Sequence, residues 1–397
     1  MKILLAHNFY GSATPSGENQ VVIAEQAMLR ARGHAVSLFG RYSDQIRAQG
    51  ALGAVKGALA TPWNPLAARA LQQACTAFAP DVVHVHNTFP LISPSIFSAI
   101  GQRAARVLTL HNYRLFCPAA IPMRSSQVCT DCLDRRSAMP AVVHGCYRQS
   151  RVASVPLALG VALHRALGTW TRQVDAFICL SAFQRELMVK AGLPREKVHV
   201  KPNFYPSMPA VLPWAQRAPY VVFAGRLTPE KGVENLLRAW QQWGDAAPEL
   251  RIVGDGPLRA ALEQRARSLP VRFLGQLDAQ AAQQQIAHAR LLVLPSEWFE
   301  TFGLVVVEAF AFGTPCAVSN LGPLPSIVEH GHSGVVFPPA QPAALLAQVR
   351  AAWEAPGQLE QLGQGARQAF EQHYTEAANH AALMNIYQQA IEVARHE

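Results

Sequence analysis

The chain is 397 residues long, half of them hydrophobic and only 15% charged, with a formal net charge of +9. That length exceeds one ordinary domain and the composition excludes a disordered chain. The Lys and Arg residues are scattered, with no aromatic-interleaved basic stripe, so their excess is expected to meet phosphorylated substrates or an anionic membrane surface and no nucleic acid.

Ile3-Leu4-Leu5-Ala6 is an apolar run predicted to be a strand. It lacks the longer apolar region and the small-residue cleavage site of a leader, so a cytoplasmic protein is expected, one that meets at most the inner face of the membrane. The seven cysteines then read as reduced thiols or metal ligands. Val22, Ala24, Ala27, Met28 and Ala31 recur at helical spacing, and Gly33 supplies a stop. Strands are predicted at 35–39, 82–85 and 107–110. The run Val152 to Leu163 is interrupted by Pro156 and Gly160 and is too short to span a bilayer. With the basic N-terminal half it motivates a peripheral membrane contact; packing inside the domain is the alternative.

Prolines at 202, 206, 209, 213 and 219, with no periodicity between them, mark a linker. Further strands are predicted at 220–224, 250–253, 271–274, 291–294 and 315–318, and a helix over 375–394. Alternation of strands and helices in both halves gives an α/β fold with two doubly wound parallel sheets. The predicted domains are 1–203 with a cysteine-rich insertion at 114–148, 204–374, and a helix at 375–397 returning to the first domain.

Ligands of doubly wound sheets bind beyond the carboxyl ends of the strands. After the strand at 220–224 comes Gly225-Arg226-Leu227-Thr228-Pro229-Glu230-Lys231-Gly232. A small residue at the strand tip admits a phosphate, and Arg226 and Lys231 place two cations in one loop, as a diphosphate requires. Both side chains are expected to be exposed; a solvated loop with ordinary surface charges is the plainer reading. After the strand at 291–294, Glu300 lies in the loop and Glu308 in the next helix, whose amino end near Thr301-Phe302-Gly303-Leu304 offers free amides to a phosphate. Glu300 is placed to accept sugar hydroxyls and Glu308 to hold a ribose. The plainer reading makes Glu300 a helix cap and Glu308 part of an exposed face, although Glu308 stands in an apolar run.

These motifs, with Gly254-Asp255-Gly256-Pro257 between them, resemble the retaining GT-B glycosyltransferases of family 4 over nearly the whole chain. The resemblance implies two Rossmann-like domains facing a cleft. It implies transfer of a hexose, with retention, from a UDP- or GDP-linked sugar to an acceptor hydroxyl, such as that of a lipid-linked saccharide in surface polysaccharide or glycolipid synthesis. No catalytic metal is expected. Arg226 and Lys231 would bind the diphosphate, Glu300 the transferred sugar and Glu308 the ribose. Leu274-Gly275 would lie beside the nucleobase, with Gly225, Gly254, Phe302, Gly303 and Leu304 completing the donor site.

In the N-terminal half the family has a glycine pair where this chain has Ser16-Gly17, so Gly17 keeps the close backbone approach. The histidine matching His111 lines the active site beside the transferred sugar. Ser326 stands where relatives carry a glutamate. Strand alternation is read as sending His84 and His86 to opposite faces, which counts against a metal pair, and His86 is assigned to the acceptor side. A sugar-nucleotide epimerase or hydrolase, and a non-catalytic binding protein, are the rival readings.

Cys117, Cys129, Cys132 and Cys146 form a Cys-x11-Cys-x2-Cys-x13-Cys cluster suited to a tetrahedral structural zinc, with His144 as a substitute ligand. A metal would give the weakly periodic stretch around them a core. Unpaired loop thiols are the alternative. Cys75, Cys179 and Cys316 lie in apolar surroundings and read as packing residues.

Overall fold

Short β-branched runs buried on both faces become parallel strands, because helices cover both sides of such a sheet. In the computed structural model, which describes residues 1–11 and 16–396, they form two six-stranded sheets. The chain divides into one unit of residues 1–122, 129–202 and 379–397 and a second of 123–128 and 203–378.

The first unit contains β1 (Lys2–Phe9), β2 (Ala35–Tyr42), β3 (Val82–Asn87) and β4 (Ala105–Leu110). Between them and the remaining strands of this sheet, β5 (Met123–Arg124) and β6 (Gln127–Val128) pair as a small antiparallel hairpin. The sheet is completed by β7 (Ala176–Cys179) and β8 (Val198–Val200), in the order β2-β1-β3-β4-β7-β8, all parallel. The second unit contains β9 (Tyr220–Ala224), β10 (Glu249–Val253), β11 (Val271–Gly275), β12 (Leu291–Leu294), β13 (Cys316–Ser319) and β14 (Gly334–Phe337). Its order is β11-β10-β9-β12-β13-β14, again parallel throughout. Strand order reverses beside β1 in the first sheet and beside β9 in the second, so the β1/β3 and β9/β12 tips are where a ligand crevice opens in each unit.

Several elements depart from the sequence reading. The run Val152 to Leu163 is one helix, Arg151–Ala166, despite Pro156. Ser150 caps it by accepting the Ala153 amide, and it buries Leu157, Ala158 and Val161 on one side. Strands β7, β8 and β14 are additions to the predicted set. Within 114–148 lie the hairpin and two short helices, Asp131–Asp134 and Met139–Val143. The last helix, Glu376–His396, buries Leu383, Ile386, Tyr387 and Ala390, and from residue 379 onward it belongs to the first unit.

Candidate active site

In the second unit, backbone bonds stitch together the loops that leave three adjacent strands. The Gly225 amide donates to the Val253 carbonyl at 3.0 Å, the Leu227 amide to Asp255 at 2.9 Å, and the Gly254 amide to Gly275 at 2.8 Å. Gly254 has φ +134°, and a Cβ there would stand 1.9 Å from the Gly225 carbonyl oxygen. Any other residue would pry the loops apart. Gly225, Gly254, Leu274 and Gly275 are thus brought together along the carboxyl edge of β9, β10 and β11.

The loops after β9 and β12 meet just as closely. The Glu297 amide donates to the Glu230 carbonyl at 2.9 Å, and Asn235 hydrogen-bonds Glu297. Glu300 is buried, and its Oε1 accepts from Lys231 Nζ at 2.6 Å and from Ser296 Oγ at 2.6 Å. Burial alone would push this carboxyl up; the Lys231 charge and its hydrogen bonds prevail and hold it below its ordinary value. Lys231 is therefore not the exposed cation expected from sequence: its side chain is 16% exposed, whereas Arg226 is 56% exposed and only 3.3 Å from Glu230. The expectation failed for Lys231 because it treated the lysine alone, while the fold sets a buried acid beside it.

The helix Leu304–Ala311 starts at Gly303, whose φ is +94°, with Phe302 buried before it and Leu304 half-buried. Glu308 is half-buried on this helix, and with no cation to offset burial its carboxyl is pushed up to about 7. Ser326 Oγ donates to the Pro323 carbonyl, holding a local turn.

In the first unit the tips of β1, β3 and β4 converge on a buried polar cluster. His84 and His86 share one face of β3, with ring centroids 4.1 Å apart. The opposite-face reading is corrected: strand side chains repeat every second residue, so positions i and i+2 point the same way. Glu25 lies 2.9 Å from His84 Nδ1 and 3.2 Å from His86 Nε2, and its other oxygen is 3.2 Å from Lys201 Nζ. Burial would raise the Glu25 carboxyl, but Lys201, His84 and His86 hold it well below its ordinary value. His86 Nδ1 in turn hydrogen-bonds His111 Nε2 at 2.9 Å, and burial holds His111 well below the usual histidine range. His86 and His111 line one cavity with Asn87, Arg114 and Trp170.

Among the described residues, Glu25, His84 and His86 are the only group of three or more such ligands within 4.8 Å of one another. His84 is already engaged, bonding Tyr387 and Thr109 at 2.7 Å each, Glu25 and His86 meet each other at 3.2 Å, and the Lys201 ammonium would repel a metal ion. The cluster reads as a charge-balanced polar network. Sequence reasoning missed Glu25 and Lys201. The signal for Glu25 was present, since it falls in the buried stripe Val21, Val22, Met28, Leu29 of the helix Gly17–Ala31. Gly17 opens that helix and is exposed, and residues 12–15 of the same expected loop lie outside the described residues. Glu18 is half-buried beside Arg114, and burial pushes it up to about 8.

Cys117, Cys129, Cys132 and Cys146 all belong to the first unit as free thiols. Burial, then the Cys132 and Cys146 thiols, pushes Cys117 up to about 12, and burial pushes Cys132 up to about 11. Cys132 thus lies within electrostatic reach of the other three thiols, the kind of soft donor zinc takes, but no three of the four sulfurs come within 4.8 Å of one another in this structure. Cys75, Cys179 and Cys316 are buried.

Lys231→Ala should cost about 2–4 kcal/mol of folding stability, because it leaves the Glu300 carboxylate buried without its cation. Arg226→Ala should leave stability unchanged. Urea unfolding of the two variants compares them, and equal midpoints would show that Lys231 does not hold Glu300. Glu308 behaves oppositely. A carboxyl with a raised folded-state pKa loses stability as pH climbs from its ordinary range through about 7. Glu308→Gln should therefore raise the melting temperature at pH 8 and leave it unchanged at pH 4, as read by thermal melts at both pH values.

Comparison with known proteins agrees with this geometry. The family model described as Glycosyltransferase Family 4 matches residues 15–207, and that described as Glycosyl transferases group 1 matches residues 206–369. The D-rhamnosyltransferase WbpZ of Pseudomonas aeruginosa is 37% identical over 163 residues, 39% of this chain and 42% of the relative. A glycogen synthase of Mycobacterium tuberculosis is 31% identical over 242 residues, 58% of each. The chain spans about half the length of the curated relatives it matches. Among solved structures, a glycosyltransferase from Rickettsia africae has a TM-score of 0.69 at 13% identity, covering 98% of each chain. The Anabaena HepE protein in complex with UDP has a TM-score of 0.64 at 19% identity, covering 100% of each. Two family matches that adjoin near residue 206, together with the shared fold, place this chain in the family 4, group 1 glycosyltransferases, with the GT-B fold.

Proposed function

We propose that the chain transfers a hexose from a nucleoside diphosphate sugar to an acceptor hydroxyl with retention of configuration. The observation that carries this reading is the Lys231–Glu300 pair with Arg226 beside it at the β9/β12 reversal. Two cations at one strand tip, one held by a buried acid and one free to close, suit a diphosphate leaving group. Glu300 fixes Lys231 and is the carboxylate assigned to the transferred sugar. Glu308, unpaired and raised, is suited to accept ribose hydroxyls. Leu274 and Gly275 take the base, and Gly225, Gly254, Gly303, Leu304 and the Phe302 backbone bound the phosphates. In the first unit His111, aligned by His86, serves the sugar, and Gly17 keeps the backbone open near it. Uracil is the first base to test, because HepE is solved with UDP, with guanine as the alternative. The acceptor we propose is a lipid-linked saccharide at the inner face of a membrane, in surface polysaccharide or glycolipid synthesis.

Acceptor-dependent release of UDP or GDP from a panel of sugar nucleotides tests the transfer, and nuclear magnetic resonance of the product reads its anomeric configuration. Arg226→Ala should reduce turnover about a hundredfold. Glu308→Gln should weaken binding of the bare nucleoside diphosphate, whereas Glu300→Gln should spare it and depress turnover of the intact donor. Nucleotide release that is indifferent to every acceptor would overturn transfer in favour of hydrolysis.

We also propose a structural zinc held by Cys117, Cys129, Cys132 and Cys146. Thiols must lose protons to bind it, and burial raises Cys117 and Cys132, so its affinity should fall as pH falls. Elemental analysis should find about one zinc per chain. Strong chelation, or Cys129→Ser with Cys132→Ser, should remove the metal and lower the melting temperature. Protein free of zinc with four freely reacting thiols would refute the site.

A further inference from the structure

We propose that the outer face shared by the helices Gly50–Ala60, Met139–Val143 and Arg151–Ala166 docks on an anionic lipid bilayer. Leu52, Val55 and Leu59 recur every three to four residues along the first helix, and Leu52 and Leu59 are 72% and 73% exposed. Val152, Val155 and Leu159 repeat the pattern on the third, with Val152 82% exposed. Met139 and Val143, also exposed, occupy one side of the short helix between them. These helices are neighbours. Ala138 and Val142 pack on Ala158 and Val161, and Gly160 sits against Thr61 and Pro62 at the end of the first helix. An apolar face of this breadth, left open in a folded domain, marks an interaction surface.

Charge identifies the occupant. Residues 45–80 and 135–174, which include these three helices, contain nine Lys and Arg and not one Asp or Glu, although Asp44, just before the first stretch, lies 4.0 Å from Arg47. Setting those nine aside leaves 26 Lys and Arg against 26 Asp and Glu, so the whole formal excess of the chain resides in these two stretches. Exposed apolar side chains on strongly basic, acid-poor stretches match a bilayer interface carrying anionic headgroups. A second copy of the same face would set cation against cation. The inner side of the helix Arg151–Ala166 contributes Leu157, Gly160 and Val161 to the cavity that His86 and His111 line, so one helix turns one side to lipid and the other to the polar pocket. This deepens the proposed lipid-linked acceptor, although membrane binding itself is measured without any transfer.

The test is co-sedimentation with vesicles of equal parts phosphatidylglycerol and phosphatidylcholine, and with phosphatidylcholine alone. Binding is expected to the former only, and to weaken with salt. Leu52→Ser with Leu59→Ser, and Lys56→Glu with Arg151→Glu, should each weaken it about tenfold or more. Because these residues are exposed, melting temperature and UDP or GDP binding should stay unchanged. No binding to anionic vesicles at low salt would overturn the proposal, as would equal binding to both vesicle types. Self-association abolished by the Leu pair, with no vesicle binding, would assign the face to a second copy. Loss of transfer activity with vesicle binding intact would count against the function proposed above and leave the docking face standing.

Discussion

The contact between Lys231 and Glu300 carries more of the second unit than its single hydrogen bond suggests. A buried carboxylate is costly and a buried ion pair seldom stabilises more than an apolar pair of equal size, so such a pair is better understood as a positioning device. Here it joins the loops of β9 and β12, the two strands between which the sheet order reverses. Once that link is made, neighbouring features follow. Gly232 must be glycine, with φ +67°, because a Cβ would stand 2.0 Å from the Pro295 carbonyl oxygen. The Glu297 amide finds the Glu230 carbonyl, and Arg226 is left on the open side with only a long contact to Glu230. The result is one cation in a fixed place and one that can adapt, prepared before any ligand arrives.

The first unit uses the same physics with more members. Glu25 would be intolerable in the core alone, yet Lys201, 2% exposed, neutralises it, and Asn379 accepts from the same ammonium at 3.1 Å. Burial lowers the His86 imidazole, which spends its Nδ1 on His111. Desolvation disfavours imidazolium, so a neutral His111 is presented to the cavity as a hydrogen-bonding group rather than as a charge. Tyr387, bonded to His84 at 2.7 Å, ties the C-terminal helix into the same network. Stability of that helix and orientation of the cavity histidine are thereby linked through one buried set.

Much of this was legible in the sequence, and the remainder was hidden for identifiable reasons. Both sheets, the glycine-bearing strand tips and the spacing of Glu300 and Glu308 stood out, because an apolar run of strand length that ends in small or charged residues fits few structures besides a buried strand and its loop. Strand β8 was missed because three residues carry no period of their own, and β7 and β8 gain their place by pairing in turn on β4 and β7. The helix Arg151–Ala166 was obscured by Pro156, which a proline rule treats as a break although capping and a buried stripe outweigh it. The exposure of Lys231 was misjudged for a different reason. Its partner lies 69 residues away, and no local pattern announces a pairing that only the β9/β12 adjacency creates.

The positive charge shows why composition needs a location before it has a meaning. An excess of +9 could serve to attract phosphorylated donors, yet the donor candidates Arg226 and Lys231 are both matched by glutamates within 3.3 Å. At the proposed donor site a diphosphate would therefore meet cations that are oriented rather than abundant, which favours recognition of geometry over general attraction of anions. The excess cations stand instead in the acid-poor stretches 45–80 and 135–174 of the first unit, which also carry exposed Leu and Val residues. In the proposed reading, long-range attraction and short-range recognition fall to separate parts of one chain. The first falls with salt over a Debye length, while the second, partly buried, is screened much less.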